Sequence, residues 1–126
     1  MIVAHGGLAR EYRSAVEHVV GAQKGIRTIA IEPESDRLKK QSEISDAVAS
    51  VDSGDGVVVV TDVFGGSPSN LSLPSCNSQN RKILYGANMP MLVKLVKSRN
   101  MPLTDAVAQS LQAGRKYIDC CGGVPE

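Results

Sequence analysis

The sequence predicts an α/β protein: a three-layer, open, mostly parallel β-sheet with helices on both faces. Three observations carry that prediction. Short β-branched runs alternate with longer amphipathic segments along the chain. The run Val57-Val58-Val59-Val60-Thr61 is β-branched throughout, as expected of a central strand buried on both faces. The chain has 126 residues, 42% of them hydrophobic, enough for one core and too few for two, so residues 1–126 read as a single domain.

The first strand, Ile2-Val3-Ala4, is brief and gives way to Leu8, Tyr12, Ala15, Val16 and Val19 at helical spacings, ending at Gly21. A second strand runs from Ile26 to Ile31. After the turn at Pro33 a charged helix opens at Asp36, carrying Leu38, Ile44, Ala47, Val48 and Val51 on one side. Gly54-Asp55-Gly56 leads into the central strand, which ends at Asp62. Gly65-Gly66 then enters a helix with Ser67 as N-cap and Pro68 at the first helical position, where the missing N–H is harmless. Pro74 and the polar stretch from Ser75 to Arg81 cut this helix short.

Lys82 to Tyr85 makes a fourth strand, and Gly86 to Pro90 turns into a helix bearing Met91, Leu92, Leu95 and Val96. Another helix starts at Thr104 as N-cap, with Asp105 in its first turn, and closes at Gly114. The tail from Lys116 to Cys121 is expected as a last strand. Two helices separate it from the fourth, so it is expected to run antiparallel.

Composition excludes several function classes. Lys and Arg number 14 against 13 Asp and Glu, and a net charge of +1 gives no electrostatic footprint for nucleic acid or an anionic membrane. With no Trp, three Tyr and one Phe, platforms on which bases or a flavin ring could stack are nearly absent. Three Cys, two of them adjacent at Cys120 and Cys121, make no disulfide framework and suit a reducing compartment. No apolar run is long enough to span a bilayer and the first residues lack the layout of a signal peptide, so the expectation is a cytoplasmic protein with no direct membrane insertion.

In an open parallel sheet the ligand crevice lies beyond the carboxyl ends of the strands. His5 ends the first strand, Asp62 ends the third, and the glycine-rich loop follows at once, so residues far apart in sequence reach one rim. A neutral imidazole there, flanked by Gly6 and Gly7, offers one ring nitrogen to an electrophile. Asp62 is suited to hold the other nitrogen, fixing the tautomer and stabilising positive charge on the ring. Gly65, Gly66, Ser67 and Ser69 bring unpaired N–H groups, a hydroxyl and a helix dipole to one point, the ingredients of a phosphate cradle.

The combination points to phosphoryl transfer onto His5 from a donor protein, with no metal and no cofactor required. The plainer alternatives are a surface histidine at His5, a loop-capping carboxylate at Asp62 and an ordinary turn at Gly65 to Pro68. Their convergence on one rim argues against all three together. There is no Walker A lysine, no Gly-x-Gly-x-x-Gly opening the first helix and no Gly-x-Ser-x-Gly elbow. Phe64 and Met89 flank the rim as candidate docking residues for a partner protein. His18 reads as a plain helix residue, and Cys120 and Cys121 as alternating across the last strand.

With these residues in place the chain resembles the IIA component of the mannose-family phosphoenolpyruvate-dependent sugar phosphotransferase system. The stretches that carry the resemblance are Ala4-His5-Gly6-Gly7-Leu8-Ala9, Val60-Thr61-Asp62-Val63-Phe64-Gly65-Gly66-Ser67-Pro68-Ser69-Asn70 and Gly86-Ala87-Asn88-Met89-Pro90-Met91-Leu92. The resemblance implies that His5 becomes a tele-phosphohistidine by accepting a phosphoryl group from the phosphocarrier HPr, and passes it to a IIB component. It implies that Asp62 supports that histidine and that Ser67 supplies the hydroxyl beside it. It also implies a homodimer in which a C-terminal strand of each subunit completes the other's sheet, with Lys116 to Cys121 as that strand. A regulatory phosphoprotein, whose phosphorylation state controls a partner without sugar transport, is the alternative reading.

Overall fold

The computed structural model describes residues 1–77 and 80–123. Four parallel strands form its sheet: β1 (Ile2–His5), β2 (Thr28–Ile31), β3 (Val57–Thr61) and β4 (Arg81–Leu84), in the order β2-β1-β3-β4. The helices are α1 (Leu8–Val20), α2 (Arg37–Val51), α3 (Ser67–Ser72), which tightens into a 3₁₀ turn at Leu73–Cys76, then α4 (Met89–Lys97) and α5 (Leu103–Lys116). The sheet's order reverses between β1 and β3, which places the topological switch point there.

Alternation along the strands sorts the core into two layers. Val3, Ile29, Ile31, Val57 and Val59 pack with Ile44, Ala47 and Val48 of α2 and Leu71 of α3. On the other face Ile2, Ala4, Val60 and Leu84 pack with Ala9 and Val16 of α1 and Met91 and Leu92 of α4. The three layers predicted from the alternation of elements are therefore present. The parity of β1 also aims His5 to the same side as Val3, toward α3.

Several details depart from the expected pattern. Leu8, Val19 and Leu38, expected on inner faces, are 44%, 58% and 80% exposed. The buried stripe of α1 is instead Ala9, Tyr12, Val16 and Val20, one position out of phase with Leu8 and Val19. Stepping back from Ile44 by three and four residues reaches Gln41 and Lys40, so Leu38 lies off the apolar stripe of α2. Asp36 caps α2 as expected, its carboxylate accepting from the Lys39 amide at 3.1 Å.

The N-cap of α3 is Gly66, one residue earlier than Ser67, which is itself the first helical residue and puts Pro68 second. Likewise α5 begins at Leu103 after Pro102, ahead of Thr104. It also runs past Gly114, which is buried inside the helix. A Cβ at Gly114 would stand 3.1 Å from the Met91 Cβ, and the Gly114 carbonyl accepts from Asn88 Nδ2 at 2.9 Å. The glycine thus serves close approach of α4 and α5 and does not end a helix.

Lys116 closes α5, and from Tyr117 to Gly123 the chain forms no strand, so the chain's own sheet is wholly parallel among the described residues. The antiparallel last strand is not part of this sheet because α5 runs on to Lys116 and the chain then turns tightly, the Arg115 carbonyl accepting from the Tyr117 and Ile118 amides. Cys120 and Cys121 consequently do not alternate across a strand. Both are exposed with free thiols, and Tyr117 and Ile118 stand 66% and 76% exposed. The polar stretch Ser75 to Arg81 lies partly outside the described residues, at positions 78 and 79. Among the described residues no helix is long and apolar enough to cross a membrane.

Candidate functional site

The site forms where β1 and β3 part. Their register pairs Ile2 with Val60 and Val3 with Thr61, and beyond that point the strands diverge. The Asp62 side chain takes over from the ladder: its Oδ2 accepts from the His5 amide at 2.9 Å and from His5 Nδ1 at 2.8 Å, while its Oδ1 accepts from the Val63 amide at 2.9 Å. Gly6 is fixed from the other side, its amide donating to the Ile31 carbonyl at 3.0 Å. Backbone and side chain of His5 are thus held by one carboxylate.

The electrostatics follow from this arrangement. The Asp62 side chain is only 7% exposed whereas that of His5 is 51% exposed. Burial, the largest single influence on the Asp62 carboxyl, pushes its pKa up. The His5 amide, the His5 imidazole, the attraction of its charge and the carboxyl's own loop amide together outweigh burial and hold it below the ordinary 3.8. An ionised carboxylate accepts only, so Nδ1 carries the proton and the lone pair is left on Nε2. His5 Nε2 points toward α3, where a Cβ at Gly66 would lie 3.2 Å from its Cε1 and 3.7 Å from Nε2. A glycine leaves the approach to that nitrogen open.

The loop from Gly65 to Asn70 is built to a fixed shape. Gly65 turns the chain at φ +81°, a left-handed conformation that side chains disfavour. Its carbonyl accepts from Asn70 Nδ2 at 3.2 Å. The first amides of a helix lack intrahelical acceptors. Here those are the N–H groups of Ser67 and Ser69, Pro68 having none, while the Gly66 amide makes a long 3.4 Å bond to the Val63 carbonyl. Ser69 is buried and its hydroxyl donates to the Gly66 carbonyl at 2.9 Å, so only its main-chain N–H remains for a ligand.

Of the two docking candidates, Phe64 stands 75% exposed and packs its ring edge-on against Tyr85 with centroids 4.9 Å apart, beside exposed Val63. Met89 is partly buried against the α1/α4 core and presents less surface. Exposed His18 occupies the last turn of α1. Two polar groups escaped the sequence reading. Arg37 Nη1 donates to Ser67 Oγ at 3.3 Å, and the Thr61 hydroxyl, just below the site, is fully buried with no hydrogen-bond partner. A charged residue opening a helix gave no signal of contact across the rim, and Thr61 read simply as one more β-branched strand residue. Among the described residues no three His, Cys, Asp or Glu side chains gather as a metal site would require.

A doubly wound sheet of this order, with a carboxylate-held histidine at its switch point and a glycine-rich loop beside it, defines a class of histidine-centred α/β proteins. The comparison with known families is specific. The model of the PTS system fructose IIA component, EIIA-man, matches residues 1–112, and the chain belongs to that family. The family is one of IIA components of the phosphotransferase system.

The chain is 25% identical to the PTS system mannose-specific EIIAB component of Escherichia coli strain K12 over 99% of its own length, and it spans 40% of that relative. Among solved structures it resembles the phosphotransferase system component EIIA of Streptococcus agalactiae, with a TM-score of 0.83 and 27% identity over 94% of this chain and 93% of that one. The mannose/sorbose specific IIA subunit of Enterococcus faecalis shares the fold, with a TM-score of 0.86 at 18% identity, covering 99% and 94% of the two chains.

Proposed function

We propose that the chain is a phosphoryl carrier that accepts a phosphoryl group from HPr on His5 Nε2 and hands it to a IIB component. The observation that carries this reading is the 2.8 Å contact between His5 Nδ1 and Asp62 Oδ2, which leaves Nε2 as the free nucleophile. The Nε2 lone pair forms a new N–P bond as the donor's N–P bond breaks, and that electron pair returns to the donor imidazole. His5 then carries positive charge with its proton still on Nδ1, against the Asp62 carboxylate. The reverse sequence delivers the group to the next partner, so no nucleotide or metal is required.

The Ser67 hydroxyl and the amides of Ser67 and Ser69 are the donors proposed for the phosphoryl oxygens, with Gly65 and Gly66 shaping the approach. Exposed Val63 and Phe64 supply apolar surface at the same rim for a protein donor, which a small-molecule site would not need. A cytoplasmic setting follows from such partners. The exposed Tyr117 and Ile118 beyond α5 suit a tail that pairs with a second copy, as in the proposed homodimer.

Incubation with phosphoenolpyruvate, the upstream enzyme and HPr is expected to label the chain with acid-labile, base-stable phosphate. His5→Ala is expected to abolish the label, and its retention would contradict the assignment.

A further inference from the structure

The carrier mechanism above leaves Arg37, which contacts the rim serine Ser67, without a task. Arg37 opens α2, is exposed, and reaches across to α3 through the 3.3 Å bond from its Nη1 to Ser67 Oγ. No carboxylate engages it among the described residues. The adjacent Asp36 is committed to the Lys39 amide, and the ion pairs among the described residues join His5 to Asp62, Arg10 to Glu11, Arg13 to Glu17, Lys40 to Glu43 and Arg81 to Asp52. An arginine with no carboxylate partner, held against the hydroxyl of the residue that follows the glycine facing His5, needs an account.

Charge supplies one. A phosphoryl group carries about −1.5 to −2 at neutral pH, and on His5 it would sit beside the Asp62 carboxylate. The imidazolium offsets only part of that negative charge. A serine hydroxyl has one proton and two acceptor sites. By donating to Ser67 Oγ, Arg37 occupies an acceptor site and leaves the proton free to be donated elsewhere. The guanidinium has five N–H donors in a planar fork suited to phosphate, so one bond to Ser67 does not exhaust it.

We propose that Arg37 is a positioning residue for phosphoryl transfer, turning the Ser67 hydroxyl toward the phosphoryl group and bringing unpaired positive charge to the rim. This inference rests on the carrier reading for its biological meaning, but not for its physical test.

The test uses the full chain and four variants, Arg37→Ala, Arg37→Lys, Ser67→Ala and the Arg37→Ala/Ser67→Ala double variant, with two readouts. In the first, inorganic phosphate is titrated while the amide resonances of Gly66, Ser67 and Ser69 are followed. In the second, the rate of phosphorylation by phosphorylated HPr is measured. Arg37→Ala is expected to weaken phosphate binding and slow phosphorylation by about tenfold, with Arg37→Lys restoring part of each. Because Arg37 acts through Ser67, removing it is expected to cost much less in the Ser67→Ala background.

Arg37→Ala within about twofold of the parent in both readouts would overturn the proposal. So would effects that multiply independently in the double variant, a parent chain whose rim amides ignore phosphate, or a loss of melting temperature in Arg37→Ala that accounts for the rate. A parent chain that fails to accept phosphate from HPr would refute the carrier reading, and the phosphate titration would still decide the role of Arg37.

Discussion

The 2.8 Å contact between Asp62 Oδ2 and His5 Nδ1 is the ground for the proposal that Asp62 decides which imidazole nitrogen is free. Asp62→Asn keeps the shape but replaces an obligate acceptor with an amide that can also donate. Nδ1 need no longer hold the proton, and phosphorylation is expected to slow on the order of 100-fold in single-turnover kinetics, with the fold unchanged by circular dichroism. The carboxyl titrates below its ordinary 3.8 in the folded chain. Its bonds therefore stabilise the fold fully above about pH 4, and that contribution is lost as the pH falls through the lower folded value. Urea unfolding of the parent and of Asp62→Asn from pH 7 to pH 3 is expected to show a stability gap that closes only at the acid end. Gly66→Ala, by placing a Cβ 3.2 Å from the imidazole, is expected to slow phosphorylation while leaving the urea midpoint nearly unchanged.

At the scale of elements, β3 and the α4/α5 pair carry the tests. Thr61 is fully buried in β3 with an unsatisfied hydroxyl. Thr61→Val keeps the shape and removes the unpaired group, and is expected to stabilise the chain by about 1 kcal/mol in denaturant titration. Gly114→Val forces a branched side chain against Met91 and is expected to cost about 1–3 kcal/mol. The same positions show what local pattern does and does not encode. The β-branched run Val57 to Thr61 and the charged stretch after Asp36 marked β3 and α2 nearly to the residue, because burial on both faces and side-chain capping write directly into residue type. Gly114 misled because a glycine at a helix end and a glycine at a helix crossing look alike until the partner helix is known. Leu8, Val19 and Leu38 misled because apolar spacing fixes a stripe's period but not its phase relative to the sheet.

The whole molecule is a sheet whose order reverses between β1 and β3, and the site is a consequence of that reversal. His5 and Asp62, 57 residues apart, meet because parallel strands end at one edge and neighbouring strands place their last side chains together. That much was legible in the alternation of elements and in the residues at two strand ends. The contact from Arg37 to Ser67 was not, since it joins two helices that only the folded sheet brings to one rim. Nor does one chain's fold provide a sheet partner for the tail after Lys116, so the antiparallel strand expected there has no place in it.

The central claim is that Asp62 holds the proton on Nδ1 and leaves Nε2 to accept the phosphoryl group. Nitrogen and phosphorus NMR of the chain after phosphorylation by HPr measures this directly. Phosphorus bonded to Nε2 of His5, with the proton remaining on Nδ1, is the predicted result. Phosphorus on Nδ1, or on the Ser67 hydroxyl, would contradict it.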